Sequence, residues 1–261
     1  MAIGVAGLAG LMLLSGASVS DAHRVERTSA ELNRSPEEEL LPPLPTLPAS
    51  FERPRTDCKK LKCVALTFDD GPGPDTERLL EMLSEAEAKV TFFVIGPQAM
   101  QFPEVLLREA EDGHEVGNHT QRHLQLTAEP GKVVHQELDG TTRIIKSILG
   151  FEPTLFRPPY GATDKRVEKE ARKKDMSVIL WSVDTDDWRH RNSSVVARRA
   201  IRGLHRGSII LMHDIHPTSV DAVPRILKEA RRRGLTLATV TDVLAALEGE
   251  KPKPGKKYLG R

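Results

Sequence analysis

Aromatic residues are scarce: two Trp, two Tyr and seven Phe in 261 positions. Each one beside a polar motif therefore carries weight. Cysteine is scarcer still. Cys58 and Cys63 are the only two, too few for a zinc module of their own. An excess of charge of one sign is missing as well. The 38 basic and 37 acidic residues leave a formal net charge of +1, which gives no general case for a nucleic-acid partner. There is no internal repeat. The apolar run Ile3–Val19 falls just short of a comfortable membrane span.

That run is followed by Ser20-Asp21-Ala22, small residues of the kind a signal peptidase reads. Residues 1–22 are expected to be a signal peptide cleaved near Ala22, with an uncleaved membrane anchor as the alternative. No Lys or Arg precedes the run. No Cys follows Leu14-Ser15-Gly16-Ala17, which argues against a bacterial lipid anchor. Residues 23–57 are polar, then acidic at Glu37-Glu38-Glu39, then proline-rich, and read as a disordered linker. In an exported protein Cys58 and Cys63 would close a small disulfide loop; two free thiols are the alternative. The last residues, 249–261, with Lys251, Lys253, Lys256, Lys257 and Arg261, read as a disordered basic tail.

Between 58 and 248 strands and helices alternate. Strands are predicted at Lys62–Phe68, Val90–Ile95, Glu115–Gly117, Thr154–Phe156, Met176–Val183, Ser208–Met212 and Thr236–Val240. Helical patterns follow them, for example Pro74–Glu87 and Gly131–Leu149. Alternation of this kind implies parallel strands with helical crossovers. Seven units suit a distorted α/β barrel with a single catalytic domain better than an open sheet.

Unusual polar residues cluster after five of these strands. Asp69-Asp70 comes first, at the end of an apolar strand and before a Gly-Pro turn. Two adjacent carboxylates repel, so the pair asks for a cation or a basic neighbour. His119 and His123 are four apart, a spacing that on a helical turn puts both imidazoles on one side. With one carboxylate they make a facial set suited to Zn²⁺ or a similar divalent ion. Arg157, before Pro158-Pro159, can fork onto a carboxylate. Asp184 and Asp187 flank a turn ending at Trp188, whose ring could wall a sugar groove. His213 follows a buried strand and suits a general acid beside an Asp. His216 is expected to be exposed.

The ordered set Thr67–Pro72 (TFDDGP), His119–His123 (HTQRH), Arg157–Tyr160 (RPPY), Asp184–Trp188 (DTDDW) and Leu211–Asp214 (LMHD) resembles the NodB-homology polysaccharide deacetylases, carbohydrate esterase family 4. The resemblance covers about Cys58 to Leu247 and implies a distorted (β/α) barrel. It further implies that Asp70, His119 and His123 bind a divalent metal, usually zinc and sometimes cobalt. Asp69 would be the base that activates the attacking water, held in place by Arg157. His213 would protonate the leaving amine, tuned by Asp184. The backbone N–H of Tyr160 would stabilise the oxyanion, and Trp188 and Leu211 would line the substrate pocket.

The expected activity is hydrolysis of N-acetyl groups on N-acetylglucosamine units of peptidoglycan or a chitin-type polymer. An acetylxylan O-deacetylase and a non-catalytic glycan-binding wall protein are the alternatives. The enzyme is expected to be a monomer, secreted or held at the cell envelope, with its basic tail aiding association with the wall.

Overall fold

The computed structural model describes residues 47, 48 and 50–261. The predicted signal segment, 1–22, and most of the predicted linker, up to residue 46, lie outside the described residues.

The chain runs β1 (Cys63–Asp69), α1 (Thr76–Glu85), β2 (Thr91–Val94), α2 (Gly96–Gln101), α3 (Pro103–Glu111), β3 (Glu115–Asn118) and α4 (Gly131–Leu149). It continues through β4 (Leu155–Phe156), α5 (Lys165–Lys173), β5 (Ser177–Ile179), β6 (Val183–Asp184), α6 (Asp187–His190) and α7 (Ser193–Arg202). The last elements are β7 (Ile209–His213), α8 (Pro217–Val220), α9 (Val223–Arg232), β8 (Thr236–Leu237), α10 (Val240–Glu248) and β9 (Lys257–Tyr258).

Every strand pairing is parallel. The order is β6-β7-β1-β2-β3-β4-β5-β9, with β8 also on β1. β5 and β6 lie towards opposite ends of this order, yet only residues 180–182 separate them. Three extended residues reach about 10 Å, so the sheet must curl until its ends nearly meet. The hydrogen bonds mark the crossing: Leu180 N–H donates to Tyr258 O (2.8 Å), and Ser182 N–H to Ile209 O (3.0 Å). This is the expected distorted barrel, with nine strands among the described residues rather than seven. The stretch predicted as one strand, Met176–Val183, serves both sides of the seam and breaks into two.

Strand alternation decides which residues face the barrel interior. On β1, Val64, Leu66 and Phe68 join the core beneath the outer helices. Ala65 faces the interior cluster with Phe93, Leu155, Ile179 and Ile209, and Thr67 and Asp69 share that face by period two. On β7 the same rule turns Ile209, Leu211 and His213 inward, while Ile210 and Met212 pack outward. α10 adds Val240, Val243 and Leu244 to the interior core and so plugs the end of the barrel remote from Asp69.

The two ends of the described chain differ from expectation. The tail is not disordered: Tyr258 is buried, β9 pairs with β5, and Arg261 N–H donates to Gly207 O (2.9 Å). Its basic, proline-rich composition hides a single aromatic anchor. The end of the predicted linker is docked as well. Arg53 and Arg55 both bond the buried Asp242 carboxylate at 3.0 Å, and Thr56 N–H donates to it at 3.1 Å. Cys58 and Cys63 form a disulfide that ties this segment to the start of β1.

Replacing Tyr258 with Ala removes a buried aromatic and is expected to cost about 3 kcal/mol of unfolding free energy in denaturant titration. Amide exchange at Val178 and Leu180, which donate to Lys256 O and Tyr258 O, should accelerate in step. Unchanged exchange at these two amides would mean that the tail does not hold β5.

Candidate active site

Asp69 closes β1 and Asp70 begins the loop beyond it with φ +73°, a left-handed conformation that Asp tolerates better than most residues. The loop then packs tightly: a Cβ on Gly71 would lie 2.3 Å from the Asp214 carboxylate. Only glycine fits there.

Arg157 lies inside the barrel, fully buried, with its guanidinium 4.1 Å from the centre of the Phe93 ring. It donates to Asp69 Oδ1 and Thr67 Oγ1, both at 2.7 Å, and to the carbonyls of Ile179 (3.3 Å) and Leu180 (3.2 Å). Burial pushes the Asp69 carboxyl upward in pKa, while the Arg157 charge and hydrogen bond oppose that rise.

His119 follows β3. Its Nδ1 bonds the Arg157 carbonyl at 2.7 Å, leaving Nε2 free. Nε2 lies 3.5 Å from Asp70 Oδ1, and His123 Nε2 lies 3.4 Å from the same oxygen. Burial drives His119 down to about 3, so its imidazole is neutral and able to ligate. Asp70, His119 and His123 each offer a ligand atom, all within 4.8 Å of one another. Asp70 Oδ1 is buried with no hydrogen-bond partner among the described residues. A buried carboxylate oxygen without a donor, facing two imidazole nitrogens, fits a divalent cation.

The two histidines do not share a helical turn. Residues 119–123 form a loop in which Thr120 (φ +74°) and His123 (φ +56°) are left-handed. The loop is fixed by Thr120 N–H donating to Asn118 Oδ1 (2.8 Å) and His123 N–H donating to Thr120 Oγ1 (3.1 Å). Arg122 turns away from the cluster and donates from N and Nε to the Glu137 carboxylate on α4, both at 2.7 Å.

His213 is the register partner of Asp69 on the neighbouring strand. Its own partner is Asp187, not Asp184. Asp187 Oδ1 meets His213 Nδ1 at 2.8 Å, and Oδ2 accepts from His213 N–H at 2.7 Å and from Ser219 Oγ at 2.6 Å. Asp184 instead accepts from Asp186 N–H (2.8 Å) and caps the turn. The resemblance implied Asp184 for this place, and the structure puts Asp187, three residues further on, there instead. Asp187 prevails because α6 begins at that residue and points it back at β7. Burial works to lower the His213 pKa, but the Asp187 hydrogen bond and charge, with Asp69 and Asp70, raise it to about 9.

Tyr160 has φ +61° and an exposed ring edge-on to His123 at 4.8 Å. Trp188, on α6, is also exposed, whereas Leu211 is buried beside Thr67. His216 is buried rather than exposed, its ring 5.8 Å from that of His213. Asp214 is fully buried, pushed up to about 7 mainly by that burial, and accepts from Thr76 Oγ1.

An oriented carboxylate, three side chains able to hold a cation and a histidine of raised pKa stand together at the strand ends of a parallel barrel, an arrangement that suits metal-assisted hydrolysis. Comparison with known proteins narrows this. Residues 56–179 match the polysaccharide deacetylase family. Listeria monocytogenes peptidoglycan-N-acetylglucosamine deacetylase PgdA is 38% identical over 217 residues, 82% of this chain and 45% of the relative. Bacillus subtilis peptidoglycan-N-acetylmuramic acid deacetylase PdaC is 39% identical over 183 residues, 70% of this chain and 38% of the relative. The chain thus spans less than half the length of these two relatives. A solved structure of T48 deacetylase with substrate aligns with a TM-score of 0.73 at 41% identity, covering 78% of this chain and 99% of that one. The chain belongs to the polysaccharide deacetylase family.

Two outcomes are expected. Calorimetric titration with Zn²⁺ or Co²⁺ should lose at least about 100-fold in affinity in Asp70→Asn and His119→Ala, while Arg122→Ala, directed at Glu137, should bind as the parent does. In NMR titration of the metal-free protein, His213 should titrate near pH 9, and in Asp187→Asn clearly lower. The sign follows from linkage. A folded pKa above the ordinary 6.5 stabilises the fold fully below about 6.5, and that contribution is lost as pH rises through about 9. An unshifted midpoint in Asp187→Asn would remove Asp187 from this role.

Proposed function

We propose that this protein is an exported, metal-dependent deacetylase that hydrolyses the N-acetyl group of N-acetylglucosamine units in peptidoglycan or a chitin-type polymer. The observation that carries the reading is the placement of Asp69 and His213 as register partners beside the Asp70–His119–His123 cluster. The relatives named above act on peptidoglycan amides, which favours the amide over an ester as substrate. The Cys58–Cys63 disulfide supports an oxidising compartment outside the cytoplasm.

Amide hydrolysis needs an activated water, charge stabilisation at the carbonyl oxygen and an acid for a poor leaving group. A divalent cation held by Asp70, His119 and His123 would supply Lewis acidity to the water and the carbonyl. Asp69 takes the proton of the attacking water through Oδ2, since Arg157 engages Oδ1. Arg157 fixes the direction of that carboxylate. The developing oxyanion is stabilised by the backbone N–H of Tyr160. His213, cationic below about pH 9, passes its proton from Nε2 to the departing amine. Asp187 holds Nδ1 and so keeps Nε2 directed at the substrate. The exposed rings of Trp188 and Tyr160 offer apolar faces to the sugars on either side.

The test is acetate release from N-acetylglucosamine oligomers, peptidoglycan and acetylated xylan, after metal removal and after return of Zn²⁺ or Co²⁺. Asp69→Asn should retain metal and lose about 10²- to 10⁴-fold in kcat. Release from xylan alone would replace the amidase with an O-esterase. Silence on all three substrates with metal bound would defeat both.

A further inference from the structure

The end of the barrel remote from Asp69 has a chemistry of its own. Its loops lead into the strands instead of out of them. Lys59, Lys60 and Lys62 precede β1, Arg206 precedes β7, and Arg231-Arg232-Arg233 precede β8. Arg172 and Lys173 close the helix before β5, and Lys256, Lys257 and Arg261 flank or form β9. All of these side chains are exposed.

Main-chain contacts make them one surface. Arg233 Nη1 donates to Leu204 O (3.1 Å) and Arg206 Nη2 to Cys58 O (3.5 Å). Gly207 N–H donates to Cys63 O (2.8 Å), Thr236 N–H to Lys62 O (3.0 Å) and Arg261 N–H to Gly207 O (2.9 Å). Gly255 packs on the Arg172 side chain. The result is an arc running under β8, β1, β7, β9 and β5. The remaining loops of this face, around Asp112 and Glu152, are acidic. Some cations are internally paired, as Arg232 and Arg233 are with Glu229. Lys59, Lys62, Arg206, Arg231, Lys257 and Arg261 make no salt bridge among the described residues. A net charge of +1 for the whole chain does not reveal this arc.

A second observation singles out the partner. Tyr160 and Trp188, both exposed, belong to the active site. Of the other exposed large apolar side chains among the described residues, Met100 lies on α2 at the catalytic end, whereas Leu61 and Leu259, at 43% and 48%, both fall inside the arc. Leu61 stands between Lys60 and Lys62 on the short loop closed by the Cys58–Cys63 disulfide. Leu259 stands between Lys257 and Arg261. A soluble polyanion gains nothing from leucines on loop tips. A lipid surface uses both features, with cations meeting headgroup phosphates and apolar side chains entering the boundary of the acyl layer. The described chain also begins on this face, where Arg53 and Arg55 clamp Asp242 and Pro54 lies against Gly113. The sequence upstream carries the apolar run Ile3–Val19.

We propose that this arc is a docking face for an anionic phospholipid bilayer, with Leu61 and Leu259 seated among the headgroups and the catalytic end directed away from the lipid. The assignment is independent of which polymer the active site takes.

The full chain is sedimented with phosphatidylcholine vesicles, with and without phosphatidylglycerol. Residues 3–19 are present in every protein tested, so parent and variants share whatever they contribute. The arc adds the part that depends on lipid charge and falls with salt. Lys59→Glu/Lys62→Glu/Arg231→Glu/Lys257→Glu should lower the phosphatidylglycerol-dependent partition coefficient by at least about 100-fold, at roughly fivefold per cation. Leu61→Ser/Leu259→Ser should lower it by roughly tenfold. Both variants should keep their circular dichroism and their acetate release from soluble oligomers. Equal partition to the two vesicle types, or partition of both variants like that of the parent, overturns the proposal. So does binding to long-chain polyphosphate, sensitive to the four reversals, with no charge-dependent vesicle binding; the arc would then be a site for a soluble polyanion.

Discussion

A fully buried guanidinium holds this site together. A charge removed from water costs several kcal/mol unless paired and hydrogen-bonded. Arg157 is paired with Asp69, lies against the Phe93 ring and donates to Thr67 and two carbonyls. Its main-chain carbonyl, in turn, accepts from His119 Nδ1. One residue therefore aims the proposed base with its side chain and fixes a proposed metal ligand with its backbone. Without it, Asp69 would be an unpaired buried carboxylate and would tend to protonate, and His119 would be free to turn.

The opposite side of the site is built by the same logic from different parts. Asp187, itself buried, receives three donors: His213 Nδ1, His213 N–H and Ser219 Oγ. The carboxylate stays ionised because the donors surround it, and the histidine stays cationic because the carboxylate does. The proposed base and acid are thus oriented by separate partners, Arg157 inside the barrel and Asp187 at its rim. Each can keep its own protonation state although their strands are neighbours.

The ends of the described chain contribute more than connection. The segment before β1 is bound through Asp242, and the segment after α10 returns a strand to β5. α10 fills the barrel floor between them.

Much of this was legible in the sequence. Apolar runs ending in polar clusters announced the strands and placed Asp69, His119, Arg157 and His213 at strand ends, because alternation and turn chemistry are local properties. The ordered motifs then indicated the family. The resemblance set Asp184 beside His213, and the structure sets Asp187 there, because both acids flank one turn and only the packing of α6 against β7 chooses between them. Local signals suggested a helical turn for His119 and His123, where two left-handed residues make a loop. They read residues 249–261 as a basic tail, because one buried Tyr258 does not outweigh the composition around it. The sequence by itself determined which residue types stand at which strand ends. Tertiary structure decided which of them meet, how the sheet closes across residues 180–182, and that cations scattered from Lys59 to Arg261 share one face. The physical reason is that strand register and curl are set by contacts between segments far apart in the chain, and no local pattern records them.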